Sequence, residues 1–305
     1  MKTVLILNHK KQACGVYQSG KRIYELLEDS TKINFIYREV ESYQEFVSRM
    51  KIISPDAVLY NWHQGTMNWL TKKMVENTGA KSYFYFHTTV LDPKIGAYLF
   101  FGDYALDRNI LPLDRQILVP RPILKYRGTY PKNNIPTIGS FGLAFFQKGF
   151  HTLTKLVNAT FERAVLNLHM PQSYFSDPTG TETKRVADEC RRLNTNRGIQ
   201  LNITQNFKND AELLTFLAGN DINVFMHTEN GEGLSGIGDY ALAVKRPIAI
   251  TNCTMFRHFM KDEIRLDKHS IPEILSFGTK PLDEFYEKWS ENNFKAEMEG
   301  VFNEE

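Results

Sequence analysis

A glycine-rich loop between two apolar runs carries the residues whose types and spacing best suit binding chemistry. The run 222–226 reads as a buried strand, and the loop after it contains Glu229, Glu232 and Ser235. The glycines in and just after this loop are Gly231, Gly233, Gly236 and Gly238. Such a turn leads into a helix whose first backbone N–H groups lack intrahelical partners and whose dipole favours negative charge. The loop therefore predicts a phosphate site, with Ser235 as the N-cap of the helix.

Two histidines follow predicted strands elsewhere in the chain. His63 comes after the strand predicted over 56–62, and His87 ends the aromatic strand predicted over 82–87. Ligands of parallel sheets bind at the carboxyl ends of the strands, so both places are candidates for chemistry. For His63 we adopt the structural interpretation of a capped or packed side chain.

Short apolar runs alternate with helical patterns throughout the chain, which is typical of parallel sheets covered by helices. Predicted strands cover 4–8, 33–37, 56–62, 82–87, 98–101, 116–119, 137–141, 163–170, 201–204, 222–226 and 247–251. Capping boxes are predicted at Ser42 with Glu45, Asn209 with Glu212 and Ser270 with Glu273. The first loop lacks G-x-G-x-x-G, which disfavours a nicotinamide enzyme.

The chain has 305 residues, enough for two domains with separate cores. A prolyl and polar segment at 120–136 is the predicted linker between them. We predict an N-terminal Rossmann-like domain over 1–125, a C-terminal Rossmann-like domain over 126–282 and a C-terminal helix over 283–305.

The composition excludes several classes of partner. Hydrophobic content of 42% and charged content of 24% favour a globular protein, and a net charge of +2 does not favour nucleic acid as a partner. The three cysteines include no C-x-x-C, which argues against zinc and disulfides and favours a reducing, cytoplasmic location. No apolar window is long enough for a membrane span. Peripheral association with a membrane surface stays open.

Two segments resemble the donor-binding motifs of a known family. The stretch from Glu232 to Ile248 is similar to E-G-F-G-x-x-x-x-E-A-x-A-x-G-x-P-V, and 142–149, GLAFFQKG, is similar to G-R-L-x-x-x-K-G. Both motifs are typical of the large retaining glycosyltransferase family 4, which has the GT-B fold. The chain departs from the family at Tyr240, where its E-x7-E motif has the second glutamate, and at Leu143, where the arginine falls.

The resemblance implies an α/β fold with two Rossmann-like domains facing a cleft, an acceptor-side domain over 1–125 and a nucleotide-sugar-binding domain over 126–282. It also implies that the helix over 283–305 packs back toward the N-terminal domain, and it assigns roles to particular residues. His87 and Glu232 are the implied catalytic residues, His87 lining the acceptor side and Glu232 orienting the donor sugar. Asp239 or Tyr240 would meet the ribose. The implied donor and phosphate site comprises Gly15, Lys148, Gly233, Leu234, Ser235 and Gly236.

We therefore predict a hexosyl- or glycosyltransferase that moves a sugar from a nucleotide diphosphate sugar with retention of anomeric configuration. The donor is a substrate, and neither a cofactor nor a metal is implied. The acceptor, a glycan, a lipid-linked molecule or another compound, is left open. The alternative is a GT-B-like protein that binds nucleotide or glycan without turnover, because Tyr240 and Leu143 replace two diagnostic side chains.

Overall fold

The computed structural model describes residues 1–12, 14–85, 87, 91–92, 98–101, 116–173, 176–228, 231 and 233–303, with backbone only for 98–101. Within these residues the chain forms two compact units. The first comprises 1–124 and 288–305 together with Gly233 and Leu234, and the second comprises 125–231 and 235–287. Each unit has its own sheet and its own core.

The first unit is built on a six-stranded sheet. Its strands are β1 (Thr3–Asn8), β2 (Asn34–Glu39), β3 (Ala57–Tyr60), β4 (Lys81–Tyr85), β5 (Tyr98–Phe101) and β6 (Gln116–Leu118). The spatial order is β2-β1-β3-β4-β5-β6, and all neighbours are parallel. All four residues of β3 are buried, as expected for a central strand covered on both faces. The carboxyl ends of the strands therefore share one edge.

Three helices of the first unit connect these strands: α1 (Gly15–Glu25), α2 (Tyr43–Ile53) and α3 (Lys72–Glu76). Helix α2 begins after Ser42, whose Oγ accepts from Glu45 N at 3.3 Å. The predicted capping box is incomplete because the Glu45 carboxylate accepts from Glu41 N instead. The spacing of Met67, Leu70 and Met74 predicts a longer helix than α3, but Met67 and Leu70 are buried in the turn that precedes it.

The second unit contains a five-stranded parallel sheet. Its strands are β7 (Thr137–Phe141), β8 (Ala164–His169), β9 (Ile199–Thr204), β10 (Ile222–Phe225) and β11 (Ile248–Ile250). The spatial order is β11-β10-β7-β8-β9. Because β7 lies at the centre and the chain crosses from β9 to β10 around it, the loops after β7 and β10 are neighbours.

The helices of the second unit are α4 (Phe150–Thr160), α5 (Thr181–Leu193), α6 (Asp210–Ala218), α7 (Ile237–Ala243), α8 (Ile271–Phe277) and α9 (Asp283–Lys288). The predicted capping boxes at the starts of α6 and α8 are confirmed, with both reciprocal hydrogen bonds present. From the sequence we predict a helix over 255–260, and this prediction is wrong. A short 3₁₀ turn, Thr254–Phe256, lies there instead.

The C-terminal segment forms two helices rather than the single one predicted. Helix α9 ends before buried Trp289, and Ser290 Oγ accepts from Asn293 N at 3.3 Å, so the chain starts a new helix, α10 (Glu291–Asn303). Phe302 of α10 packs edge-on against Phe35 and Tyr83 in the core of the first unit. No helix in the described part of the chain is both long and apolar enough to cross a membrane.

Candidate functional site

Two buried asparagines lie side by side at the carboxyl edge of the first sheet. Asn8 ends β1 and Asn61 follows β3, and the register pairs Leu7 with Tyr60, so both amides leave the sheet at the same level. Neither side chain is exposed. Gly20 of α1 faces them, and a Cβ at this position would collide with both amides. Glycine thus permits the close approach of α1.

Main-chain partners fix the orientation of both amides. Asn8 Nδ2 donates to Tyr17 O at 2.9 Å, and Asn8 Oδ1 accepts from His9 N at 2.9 Å. Asn61 Nδ2 donates to Val16 O at 2.6 Å and to Asn8 Oδ1 at 2.9 Å. A carbonyl oxygen can only accept and a backbone N–H can only donate, so neither amide can be reversed.

His87 extends this chain of hydrogen bonds from the neighbouring strand. It lies two residues beyond β4, and its Nε2 is 2.7 Å from Asn61 Oδ1. Burial, followed by the electrostatic effects of His63, Arg121 and His9, lowers the pKa of the half-buried His87 to about 3. The imidazole is therefore neutral near pH 7. The catalytic role of His87 stays a prediction.

Two further histidines flank the same edge. His9 is buried and its Nδ1 accepts from Lys11 N at 3.1 Å, while its Nε2 hydrogen-bonds to none of the described residues. Burial, then the charges of Lys11 and His63, lowers the pKa of His9 to about 4. His63 Nδ1 accepts from Gly65 N at 3.0 Å, a turn contact that agrees with the structural interpretation of this residue.

Gly15, predicted to face the phosphates, is the first residue of α1. The N-cap residue Cys14 makes no side-chain cap hydrogen bond, and the space around a Cβ at Gly15 is open. The site role of Gly15 stays a prediction.

In the second unit, the loop after β7 meets the carboxyl end of β10. Half-buried Lys148 precedes Gly149, whose φ is +70° and where a Cβ would collide with the carbonyl of Met226. Thr228 N also donates to Gln147 O at 2.9 Å. Glycine is required at position 149 by both its backbone conformation and the close approach.

His227 lies beside this junction and was missed by the sequence analysis. It is only 2% exposed, and its ring packs edge-on against Phe256 with centroids 4.7 Å apart. Neither ring nitrogen hydrogen-bonds to a described residue. Burial, then the charge of Lys148, lowers the pKa of His227 to about 3. Its place just after a strand, the signal that indicated His87, could have revealed it.

The glycine-rich loop is tied to the segment after β11. Gly231 N donates to Thr254 Oγ1 at 3.2 Å, and Ser235 N donates to Met255 O at 2.9 Å. The N-cap residue of α7 is Gly236, which makes no side-chain cap bond, so the prediction of Ser235 as N-cap was wrong. The reason is that buried Ser235 is held by Met255 and the helix starts two residues later.

The other residues of the loop have different surroundings. Gly236 is exposed with open space around a Cβ, whereas Gly233 is buried and Leu234 is half-buried. Glu229 and Glu232 were predicted to belong to this loop site, but both lie outside the described residues. Leu143, at the arginine position of the family motif, is 41% exposed.

Tyr240, predicted at the ribose position, reaches a carboxylate on another helix. Its Oη donates to Oδ1 of Asp210, the first residue of α6, at 2.8 Å, and its ring packs edge-on against Phe141. Both Tyr240 and Asp210 are half-buried, while Asp239 is only 6% exposed. Asp210 and Tyr240 are thirty positions apart, and nothing in the linear pattern signals their pairing.

Aromatic side chains surround this pair at the carboxyl edge of the second sheet. Phe141 ends β7 and stacks with His169 at the end of β8, which in turn contacts Phe216. His169 Nδ1 lies 2.9 Å from Thr204 Oγ1. Burial, then the charge of Lys208, lowers the pKa of His169 to about 4. The described residues contain no cluster of three or more His, Cys, Asp or Glu side chains that could hold a metal ion.

The comparisons with known proteins agree on the fold. The structure matches HepE from Anabaena in complex with UDP and glucose, with a TM-score of 0.69, 8% identity and 99% of each chain covered. It matches sucrose-phosphate synthase from Thermosynechococcus elongatus with a TM-score of 0.73, 9% identity and coverage of 100% and 99%. An alpha-glucosyltransferase in complex with UDP and DNA matches with a TM-score of 0.61, 13% identity and coverage of 99% and 100%.

These matches establish an α/β fold of the GT-B glycosyltransferase class, with two parallel sheets, as the sequence predicted. No protein-family model matches the sequence. No curated protein matches it either.

Proposed function

We propose that this protein is a glycosyltransferase that moves a sugar from a UDP-sugar to a hydroxyl of an acceptor, with retention of anomeric configuration. The observation that carries the proposal is the match over essentially the whole chain to glycosyltransferase structures, two of which hold UDP with glucose or UDP-glucose. Polar groups gathered at the carboxyl edges of both sheets support it, because ligands of such sheets bind there.

On the donor side, Lys148 and the glycine-rich loop are the proposed diphosphate site. Fixed positive charge stabilises the negative charge that develops on a leaving nucleotide, and no metal is needed for this. The remaining proposed contacts are backbone groups of Gly233, Leu234, Ser235 and Gly236. Glu232 would orient the donor sugar through its hydroxyls, and His87 would contact the reacting sugars.

For the ribose we propose Asp210, held by Tyr240, in place of the glutamate that the family motif has at position 240. A carboxylate can accept from two vicinal hydroxyls at once, and the neighbouring aromatic rings suit a nucleobase. Asp210→Asn removes the charge without changing the shape. Loss of one charged hydrogen bond costs about 1.5–3 kcal/mol, so we expect UDP affinity to fall roughly 10- to 100-fold, measured by calorimetry.

Three controls make this test specific. Asp188→Asn, which removes a surface ion pair on α5, should bind UDP like the wild type. In the wild type 2′-deoxy-UDP should bind more weakly than UDP, whereas Asp210→Asn should bind the two alike. If Asp239→Asn removes this discrimination and Asp210→Asn does not, the ribose partner is Asp239.

The main experiment is incubation of the purified protein with a panel of nucleotide sugars, followed by NMR without acceptor or added metal. Slow hydrolysis of a UDP-sugar, with the α anomer released first from an α donor, is the expected result. Release of the β anomer first would contradict retention. Saturation-transfer signals without release would favour the alternative of a GT-B-like binding protein, and no contact with any donor would contradict both.

Glu232→Ala separates the enzyme from the binding protein. If Glu232 orients the donor sugar in the transition state, the variant should lose at least about 100-fold in turnover, or roughly 2.7 kcal/mol, while still binding UDP. Equal losses of UDP and UDP-sugar affinity, with no turnover in the wild type, would indicate binding alone. Gln205→Ala, an exposed substitution just after β9, is the control.

We also propose a cytoplasmic location, since Cys14, Cys190 and Cys253 form no disulfide bond with one another. The acceptor is proposed to be a hydroxyl compound such as a glycan.

A further inference from the structure

The side chain of His87 is held by a hydrogen-bond chain that crosses three adjacent strands. Asn8, Asn61 and His87 follow the carboxyl ends of β1, β3 and β4, which are neighbours in the sheet. Each link is short: 2.9 Å from Asn61 Nδ2 to Asn8 Oδ1, and 2.7 Å from Asn61 Oδ1 to His87 Nε2. The chain ends on main-chain atoms of α1 and of the loop after β1, so it is anchored to rigid elements.

This anchoring determines which ring nitrogen carries hydrogen. Val16 O can accept only, so the atom of Asn61 beside it is Nδ2 and the atom facing His87 is Oδ1. An amide oxygen only accepts, so the ring atom 2.7 Å away must be an N–H donor. A ring carbon would lie farther off, at about 3.3–3.6 Å, so the ring cannot be turned over.

The other ring nitrogen, Nδ1, then carries no hydrogen and presents a lone pair. His87 Nδ1 hydrogen-bonds to none of the described residues, and it is not among the buried polar atoms that lack a partner. The titratable and charged groups that act on His87 are His63, Arg121 and His9, all of which oppose a second proton on the ring. Nδ1 therefore offers an acceptor to a ligand.

We propose that Asn8 and Asn61 are positioning residues that hold His87 as the Nε2–H tautomer, so that Nδ1 accepts a hydrogen bond from a hydroxyl of a sugar substrate. A phosphate or carboxylate oxyanion has no hydrogen to donate and would face the lone pair. A sugar hydroxyl, in contrast, can donate its hydrogen to Nδ1. The tautomer stands on the geometry alone, whereas the substrate contact rests on the proposed transferase function.

The tautomer is tested directly by long-range ¹H–¹⁵N NMR of histidine-labelled protein. The signals of His87 are assigned as those that are missing from the spectrum of His87→Gln. We expect the Nε2–H pattern, unchanged from about pH 8 to about pH 5. An Nδ1–H tautomer, or an imidazolium at pH 7, would overturn the proposal. This measurement needs no activity, so it separates the tautomer from the transferase function.

The contact to substrate is tested by two substitutions that replace one ring nitrogen each. Asparagine places its amide near the Nδ1 position and keeps a hydrogen-bond acceptor there. Glutamine places its amide near the Nε2 position and leaves no acceptor at the Nδ1 position. With UDP-glucose as the probe, His87→Asn should retain at least 10-fold more kcat/KM than His87→Gln, and UDP-glucose should shift the wild-type Nδ1 resonance.

Equal activities of the two variants, with no shift of the Nδ1 resonance, would overturn the substrate contact even if the tautomer is as proposed. If Asn61→Ala folds, the tautomer should become mixed and kcat should fall with little change in KM. An unchanged tautomer in Asn61→Ala would overturn the positioning role.

Discussion

Buried histidines at the carboxyl ends of strands are the most distinctive feature at the scale of single residues. His9 follows β1, His169 ends β8 and His227 follows β10, and each is at most 2% exposed. Burial is the largest cause of the low pKa of all three, which lies at about 3 or 4. In the unfolded chain the same imidazoles titrate near 6.5.

The sign of the resulting pH dependence follows from the depressed pKa values. Between the folded and the unfolded pKa the unfolded chain binds more protons, so stability is lost as pH falls below about 6.5. Each such histidine lowers the free energy of unfolding by roughly 2 kcal/mol as the pH falls from about 7 to about 5. Urea unfolding of the wild type should show this fall.

His227→Leu tests the contribution of one buried imidazole. The leucine cannot be protonated, so the loss of unfolding free energy between about pH 7 and pH 5 should shrink by roughly 2 kcal/mol relative to the wild type. His269→Leu, which replaces a histidine that is not fully buried, is the control. An identical pH profile for the wild type and His227→Leu would mean that the pKa of His227 is the same in the folded and the unfolded protein.

At the scale of elements, the loop after β7 and the end of β10 are joined through Gly149. Its φ of +70° and its approach to the Met226 carbonyl leave no room for a Cβ. Since Lys148 precedes it and His227 follows Met226, this junction also sets the surroundings of the proposed diphosphate site.

Gly149→Ala should therefore destabilise the protein by roughly 3 kcal/mol or more, from the left-handed backbone together with the collision. Denaturant unfolding measures this change. Gly236→Ala is the matched control, because Gly236 has φ of −62° and open space, so its stability should change by less than about 1 kcal/mol. Equal effects of both substitutions would contradict the packing at the junction.

At the scale of the whole molecule, two units with separate parallel sheets and cores make up the chain. A ligand that binds the folded state stabilises it by RT ln(1 + [L]/Kd). The donor nucleotide should therefore raise the unfolding temperature of the unit that holds Lys148.

UDP at about 100 times its Kd should add about 2.7 kcal/mol of stability, seen as a thermal shift. EDTA should leave that shift unchanged, because Lys148 rather than a metal ion offsets the charge of the diphosphate in our proposal. Lys148→Ala should reduce the shift, whereas Lys132→Ala, in an exposed segment, should not. Loss of the shift on adding EDTA would show that a metal takes part.

The sequence by itself determined the alternation of strands and helices, because strands buried on both faces read as short apolar runs and capping boxes such as Asn209 with Glu212 are local. It also determined that His87 lies at a strand end. Only the tertiary structure decided what these residues touch. Asn8 and Asn61 are 53 positions apart and Tyr240 and Asp210 are 30 apart, and they meet because parallel strands bring distant loops to one edge. Strand order and register are long-range properties, and a linear pattern does not contain them.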